Sequence, residues 1–190
     1  LITGGSRGIG RAIASSMARE GCEIYLSSRT EADLQRAQAE ITDATGSEVS
    51  IHAFDLSEST NTSRLAEVCA DVDILINNAG AIPGGNLGDV DESRWRLAWD
   101  LKVFGYINLT RLIYARMQER HRGVILNIIG LAGERYDANY IAGSTGNAGL
   151  MAFTRALGGT SLDDGVRVLG INPGLIATDR MTTLLQTRAE

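Results

Sequence analysis

Histidine, cysteine and proline are scarce in this sequence, and the scarcity of the first two excludes whole classes of function. The two histidines and two cysteines among 190 residues stand apart, so neither a metal site nor a disulfide framework is indicated. No apolar run approaches the roughly 20 residues of a membrane-spanning helix. The formal net charge is −5 and basic residues are scattered, which disfavours nucleic acid and acidic membranes as partners. We therefore expect a cytoplasmic protein.

Short runs rich in β-branched residues alternate along the chain with longer stretches of helical periodicity. The predicted strands are residues 1–3, 23–28, 49–55, 72–78, 123–129 and 166–172, and the predicted helices lie near residues 9–20, 31–44, 60–70, 91–119 and 144–161. Apolar strands separated by helices indicate a parallel sheet covered on both faces. Right-handed crossovers then give a doubly wound parallel sheet, the three-layer α/β/α Rossmann fold. With neither a repeat nor a linker, residues 1–190 are expected to form a single domain.

A glycine-rich turn, Thr3-Gly4-Gly5-Ser6-Arg7-Gly8-Ile9-Gly10, follows the first predicted strand and opens the first helix. Glycines in such a turn let the backbone bend tightly and approach a pyrophosphate, which then binds at the helix N-terminus. Glycine-rich turns also serve as plain connections. The position of this one between a strand and a helix favours a nucleotide site.

Together with Asn77-Asn78-Ala79-Gly80 after the fourth strand, this turn resembles the short-chain dehydrogenase/reductase family, whose glycine spacing is that of Gly4, Gly8 and Gly10. Asp55-Leu56 after the third strand and Asn172-Pro173-Gly174 with Thr178 after the sixth match further motifs of that family. The resemblance covers essentially the whole chain. It implies a nicotinamide dinucleotide cofactor, a carbonyl or alcohol substrate and a homodimer or homotetramer. It also implies that a longer natural protein continues beyond both ends of this sequence.

The motifs and the resemblance together predict one set of cofactor-binding residues. These are Gly4, Ser6, Arg7, Gly8, Ile9, Gly10, Ser28, Arg29, Asp55, Leu56, Asn78, Ala79, Gly80, Pro173, Gly174 and Thr178. Arg180 lies beyond the last motif, either as an anion-binding residue or as a surface charge.

The end of the second strand bears on which dinucleotide is bound. An acidic residue about 20 positions after the glycines would bind the ribose hydroxyls of NAD, but Ser28 stands there, with Arg29 beside it. Loss of the carboxylate removes repulsion against a 2′-phosphate, while Arg29 and Arg7 offer charge-assisted hydrogen bonds. We predict a preference for NADP(H) over NAD(H). The alternative is that Arg29 is a solvated arginine at a strand end.

The catalytic set that the resemblance implies is absent from its usual positions. The family uses a tyrosine as proton donor, a lysine that lowers its pKa, a serine that orients the carbonyl and an asparagine that supports a water. Aligned without gaps, these positions are Gly143, Asn147, Gly130 and Lys102. Lys102 and Asn147 therefore occupy each other's expected positions.

Tyr140 precedes Gly143 by three residues and Ser144 follows it, so an early helix start would bring Tyr140 towards the cleft. The candidate catalytic residues are therefore Tyr140, Lys102, Asn147 and Ser144, with Lys102 supplying the positive charge. Alternatively, Tyr140 covers the end of the sheet and Lys102 is solvated. The glycines at 130, 133 and 143 either widen the cleft floor or ease the contact between helices.

Two functions are compatible with these residues. The first is an NAD(P)(H)-dependent oxidoreductase of the short-chain dehydrogenase/reductase type with a rebuilt catalytic set. The second is a catalytically silent NADP(H)-binding protein that acts as a sensor or in an assembly. The intact cofactor motifs and the exchange of lysine and asparagine support the enzyme, whereas the absence of the usual residue from all four catalytic positions supports the silent protein. The family resemblance favours the enzyme.

Overall fold

The computed structural model describes residues 1–178, so Arg180 lies outside the described part of the chain. The strands are β1 (Ile2–Thr3), β2 (Ile24–Ser28), β3 (Val49–Ala53), β4 (Ile74–Asn77), β5 (Gly123–Ile128) and β6 (Val166–Ile171). The α-helices are α1 (Gly8–Arg19), α2 (Glu31–Thr45), α3 (Ser59–Val68), α4 (Glu92–Trp99), α5 (Gly105–Glu119) and α6 (Ile141–Gly158). A π-helical turn (Asp100–Phe104) joins α4 to α5, and a 3-10 turn (Leu131–Gly133) follows β5.

The six strands form one parallel sheet in the order β3-β2-β1-β4-β5-β6. Ile2 in β1 pairs with Leu26 on one side and Ile76 on the other. The direction of winding reverses between β1 and β4, which opens a crevice at the carboxyl ends of these strands, where doubly wound folds bind their ligands. The predicted Rossmann fold is confirmed, and each strand lies within a predicted run.

The sheet buries a separate apolar cluster on each face because successive strand side chains point in opposite directions. Ile76 belongs to the cluster beneath α1 and α2, whereas its neighbour Leu75 belongs to the cluster beneath α3 and α5. Leu34 of α2 and Ile113 of α5 are fully buried, and each such side chain contributes about 1.5–3 kcal/mol on burial. None of the helices in residues 1–178 has the length and hydropathy to span a membrane.

Two helices differ from the sequence-based expectation, and both differences shape the site. The predicted helix 91–119 is interrupted by the π-helical turn, a feature that often occurs at functional sites, and Lys102 lies within it. Helix α6 begins at Ile141 instead of residue 144. The earlier start is stabilised by the indole N–H of Trp99, which donates to the carbonyl oxygen of Ala142 at 3.1 Å.

Candidate active site

A cleft of about 600 Å³ lies at the carboxyl ends of the central strands. It is lined by these residues of the predicted cofactor set: Gly4, Ser6, Arg7, Gly8, Ile9, Ser28, Arg29, Leu56, Asn78, Ala79, Gly80 and Thr178. The sequence motifs thus converge on one surface. The lining also includes residues that the sequence analysis missed: Ser27, Thr30, Asp33, Phe54, Ala81, Ile82, Pro83, Gly84, Arg94 and Leu101. Residues 81–84 directly follow the Asn77–Gly80 motif, so an extended motif would have found them, whereas Arg94 carried no signal.

The glycine-rich turn brings backbone amides to the cleft. Gly4 and Gly8 have φ angles of +63° and +55°, in the left-handed region that favours glycine. Within residues 1–178 no side chain caps the start of α1, so its first amides remain available to an anion. Gly10 does not line the cleft; a Cβ there would overlap the carbonyl oxygen of Gly4. Its role in the structure is close contact between α1 and the turn.

The Asn78 side chain holds the two halves of the cleft together. Its amide nitrogen donates to the carbonyl oxygens of Thr3 and Gly4 at 3.0 and 3.2 Å. In return, the hydroxyl oxygen of Thr3 accepts from the backbone N–H groups of Asn78 and Ala79. The loop after β4 is therefore fixed against the glycine-rich turn.

Besides Gly10, three predicted cofactor residues lie outside the main cleft. Asp55 lines an adjoining pocket of about 180 Å³, where its carboxylate lies 4.0 Å from the Arg29 guanidinium. Pro173 accepts a hydrogen bond from the backbone N–H of Leu131 at 2.9 Å, and a Cβ on Gly174 would lie 3.8 Å from the Leu131 side chain. These last two residues fix the segment after β6 against the turn after β5.

Lys102 is buried, with 6% of its surface exposed, so the alternative of a solvated lysine is wrong. Its Nζ donates to the carbonyl oxygens of Ile129 and Ile128 at 2.6 and 3.5 Å, and its stem crosses Gly80, where a Cβ would lie 2.8 Å from its Cδ. Tyr106 donates to the same Ile128 carbonyl at 2.9 Å. The ammonium is thus held at the carboxyl end of β5.

The Asn147 side chain reaches the same strand end from α6. It is 2% exposed, and its Nδ2 lies 2.9 Å from the point where a Cβ on Gly130 would stand. Its Oδ1 is buried without a hydrogen-bond partner among the described residues. Gly130 has a φ of +135°, which L side chains rarely adopt. A serine at this position would be strained and would contact the Asn147 amide.

Tyr140 lies at the start of α6, and its ring covers Gly143. A Cβ on Gly143 would overlap Cε1, Cζ and Cδ1 of that ring. The ring also packs against the small apolar cluster of Ile82, Ala98 and Ala142. Gly133, in turn, contacts Met151 and the backbone of α6. Neighbouring groups therefore occupy the space where side chains at residues 130, 133 and 143 would lie. These three glycines do not widen the cleft floor.

Ser144 serves the turn before α6. Its hydroxyl accepts a hydrogen bond from the backbone N–H of Asp137 at 3.0 Å and donates to the Asp137 carbonyl at 3.4 Å. Its own backbone N–H donates to the Tyr140 carbonyl at 2.8 Å. The hydroxyl of Ser144 thus positions the segment that carries Tyr140, and its catalytic role stays a prediction.

None of the candidate catalytic side chains lines the cleft that the structure describes. The turn before α6 is joined to the loop that lines this cleft, because Gly85 donates to the Asn139 carbonyl at 2.7 Å and accepts from the Ile141 N–H at 3.4 Å. Residues 81–84 therefore lie next to the segment that carries Tyr140, whose ring packs against the cluster containing Ile82 of the cleft lining. In residues 1–178 no histidine, cysteine, aspartate and glutamate side chains are grouped as a metal site would require.

This sheet order and the glycine-rich turn between β1 and α1 define a dinucleotide-binding Rossmann protein. The model of the short chain dehydrogenase family matches residues 1–189, and the chain belongs to that family. It is 32% identical over 187 residues to the 3-oxoacyl-(acyl-carrier-protein) reductase of Chlamydia muridarum, covering 94% of this chain and 74% of that one. It is 31% identical over 186 residues to the ketoacyl reductase HetN of a Nostoc strain, covering 96% of this chain and 64% of that protein.

Solved structures show the same similarity. The L-sorbose reductase of Gluconobacter frateurii, complexed with NADPH and L-sorbose, superposes with a TM-score of 0.89 at 30% identity, over 94% of this chain and 69% of that one. The actinorhodin polyketide ketoreductase with NADPH gives a TM-score of 0.92 at 26% identity, over 100% and 74% of the two chains. The chain thus spans 64% to 74% of the length of these four proteins.

Proposed function

We propose that the protein is an NADP(H)-dependent reductase of a carbonyl substrate, with 3-oxoacyl thioesters as the first class to test. One observation supports the proposal: the Lys102 stem passes over Gly80 and the Tyr140 ring packs against the cluster that contains Ile82, and both Gly80 and Ile82 line the cleft. The names of the relatives from Chlamydia and Nostoc support the substrate class.

The cleft fits a dinucleotide. The left-handed backbone at Gly4 and Gly8 shapes the turn at the start of α1, where a pyrophosphate would bind, and Arg7 and Arg29 line the same cleft. Ser28 in place of a carboxylate, beside the half-exposed Arg29, suits a 2′-phosphate. When bound, the coenzyme supplies the hydride that reduces the carbonyl carbon.

Tyr140 is the proposed proton donor. Its phenol gives a proton to the carbonyl oxygen of the substrate as the alcohol forms, and the phenolate then takes a proton from solvent. A free tyrosine has a pKa near 10, and to work near neutrality this phenol needs a shift worth roughly 3–4 kcal/mol. The carbonyl would bind at the wall of residues 81–84, which the Gly85 hydrogen bonds hold beside Tyr140.

Lys102 supplies the positive charge for that shift. It is the only lysine in the sequence; the other 17 of the 18 lysine and arginine residues are arginines. The ammonium is compact and adapts to a buried position in a way that the planar guanidinium does not. Asn147, whose Oδ1 has no hydrogen-bond partner within residues 1–178, is the proposed polar group that orients the substrate where the family uses serine.

The test is turnover by the whole protein. NADPH oxidation is followed by absorbance with acetoacetyl-coenzyme A and a panel of ketones, and NADPH affinity is measured by calorimetry. We expect turnover by the wild type and a fall of about a hundredfold or more in kcat for Tyr140→Phe, with NADPH affinity unchanged. Turnover that survives Tyr140→Phe unaltered would remove Tyr140 as proton donor.

The same experiment addresses the second candidate, a catalytically silent NADP(H)-binding protein. The observation in its favour is that Tyr140, Lys102 and Asn147 do not line the described cleft. Tight NADPH binding without turnover on any carbonyl would support it. Failure to bind either NADPH or NADH would exclude both candidates.

A further inference from the structure

Gly143 stands at the position where the family carries its catalytic tyrosine, and the Tyr140 ring fills the space directly above it. We infer that Gly143 is a positioning residue: the absence of its side chain is what admits the phenol of Tyr140 to the active site. This inference rests on the proposed function, because it assigns a role to Gly143 through Tyr140.

The contact involves the functional end of the ring. The atoms that a Cβ on Gly143 would overlap include Cζ, the carbon that bears the hydroxyl, as well as Cε1 and Cδ1. The overlap is too severe for a small adjustment, because dispersion contacts become repulsive well before such distances. Alanine at residue 143 and the observed position of the ring therefore exclude one another.

The rest of the ring's surroundings leave it little freedom to yield. The backbone on either side of Tyr140 is fixed by the Gly85 hydrogen bonds to Asn139 and Ile141. The Tyr140 carbonyl accepts from Ser144 N–H, and the ring packs against Ile82, Ala98 and Ala142. With its backbone anchored, the side chain must rotate away when residue 143 gains a Cβ. The phenol then leaves the site.

A second glycine shows the same arrangement. Gly130 stands at the family's serine position, and a Cβ there would lie 2.9 Å from the Asn147 Nδ2. Other glycines near α6 differ: Gly146 contacts Val103 and Trp99, residues outside the proposed catalytic set. Gly149, also in α6, has nothing within 4 Å of a Cβ and provides a matched control.

The experiment compares Gly143→Ala with Gly149→Ala in the whole protein. Both changes raise the helix propensity of α6, but only the first displaces the ring. We expect Gly143→Ala to lower kcat at least about tenfold, with the KM for NADPH unchanged, whereas Gly149→Ala stays within about twofold. In a Tyr140→Phe background, Gly143→Ala should lower kcat no further, because the two changes remove the same group. The inference would be overturned if the two alanine variants changed kcat equally. It would also be overturned if Gly143→Ala lowered kcat as much in the Tyr140→Phe background as in the wild type.

Two readouts are independent of turnover. Crystal structures of the wild type and of Gly143→Ala should show the Tyr140 ring rotated off residue 143 in the variant; a ring that stays in place overturns the inference even if the enzyme is active. If Gly143→Ala fails to fold, the double variant Tyr140→Ala/Gly143→Ala should fold, because it removes the overlapping ring, and failure of both contradicts the inference. If the wild type shows no turnover but the Tyr140 ring still moves in Gly143→Ala, the proposed function is refuted and the positional effect of Gly143 stands.

Discussion

The Nζ of Lys102 donates a 2.6 Å hydrogen bond to the carbonyl oxygen of Ile129, the residue immediately before Gly130. This bond joins the π-helical turn to the carboxyl end of β5. It orients a buried ammonium between Gly80, over which its stem passes, and the face of Tyr106, whose ring centroid lies 5.7 Å away. The charge is therefore fixed in position, as electrostatic stabilisation requires.

Replacement of Lys102 by methionine tests the role of this charge. Methionine retains much of the buried stem but leaves the Ile129 carbonyl without its donor, at a cost of about 1–3 kcal/mol in the free energy of unfolding. We expect kcat to fall about a hundredfold while NADPH affinity changes little. Steady-state kinetics, calorimetry and urea unfolding measure the three quantities. A variant that loses stability but keeps its kcat would reduce Lys102 to a structural residue.

Ser144→Ala should separate the positioning role of this hydroxyl from a catalytic one. The change removes the hydrogen bond that Asp137 N–H donates to the hydroxyl, so the turn carrying Tyr140 loosens. We expect about 1 kcal/mol less stability and a fall in kcat of only a few-fold, with the pH profile of kcat unchanged. Thr145→Ala, which alters an exposed hydroxyl bonded to Ile141 in the same helix, is the control. A shifted pH profile would return Ser144 to the proton-transfer set.

Coenzyme preference should depend on the charge at the end of β2. Ser28→Asp introduces a carboxylate where a 2′-phosphate would approach, beside Arg29. We expect NADPH affinity to fall at least about tenfold and NADH affinity to rise, as charge-assisted hydrogen bonds are lost to one and gained by the other. Ser59→Asp adds the same charge at the start of α3, outside the cleft, and should leave the ratio unchanged. Paired calorimetric titrations with NADPH and NADH measure both affinities. An equal loss of affinity for the two coenzymes would contradict the assignment of residue 28 to coenzyme selection.

His52 makes the folded state sensitive to mild acid. Its ring lies between Tyr25 and Phe54, with centroids 6.1 and 6.4 Å away, and burial lowers the pKa of His52 below its ordinary value of 6.5. Because the pKa is lower in the folded state, the unfolded chain takes up the proton first. Stability is thus complete above about pH 6.5 and is lost as the pH falls through the folded pKa.

His52→Phe should remove this dependence. Phenylalanine keeps a ring between Tyr25 and Phe54 and cannot be protonated. Urea unfolding should be measured between pH 5 and pH 7, a window set by the ordinary histidine pKa of about 6.5. We expect the free energy of unfolding to change less steeply with pH in the variant than in the wild type. The same slope in both proteins would mean that another group controls the acid sensitivity.

The sequence was sufficient for the sheet and for the nucleotide end of the cleft because both depend on local patterns. In β4, for example, Ile74, Leu75 and Ile76 form an apolar run, and Gly4 and Gly8 occupy backbone conformations that few other residues tolerate. The catalytic end depended on contacts between distant segments. That the Tyr140 ring rests on Gly143 follows from the anchoring of its backbone to Gly85, 55 positions earlier, and no periodicity reports such a bond.

The missed features have the same origin. Lys102 was left open between a buried and a solvated residue because the π-helical turn, which directs it inward, has no clear pattern in the sequence. Arg94 lines the cleft from α4, a helix that carries no nucleotide-binding motif. Ser144 looked available until the Asp137 backbone was found to occupy its hydroxyl.

The π-helical turn also limits how the chain can change in length. Asp100–Phe104 contains one residue more than a regular α-helical turn would, and that extra residue sets the rotation of α5 relative to α4. A single deletion there would restore a continuous helix and turn everything beyond it by about 100°. Leu109 and Ile113 would leave the core, and Lys102 would swing away from β5. A deletion of one residue in a surface loop is often harmless, but here it should prevent folding.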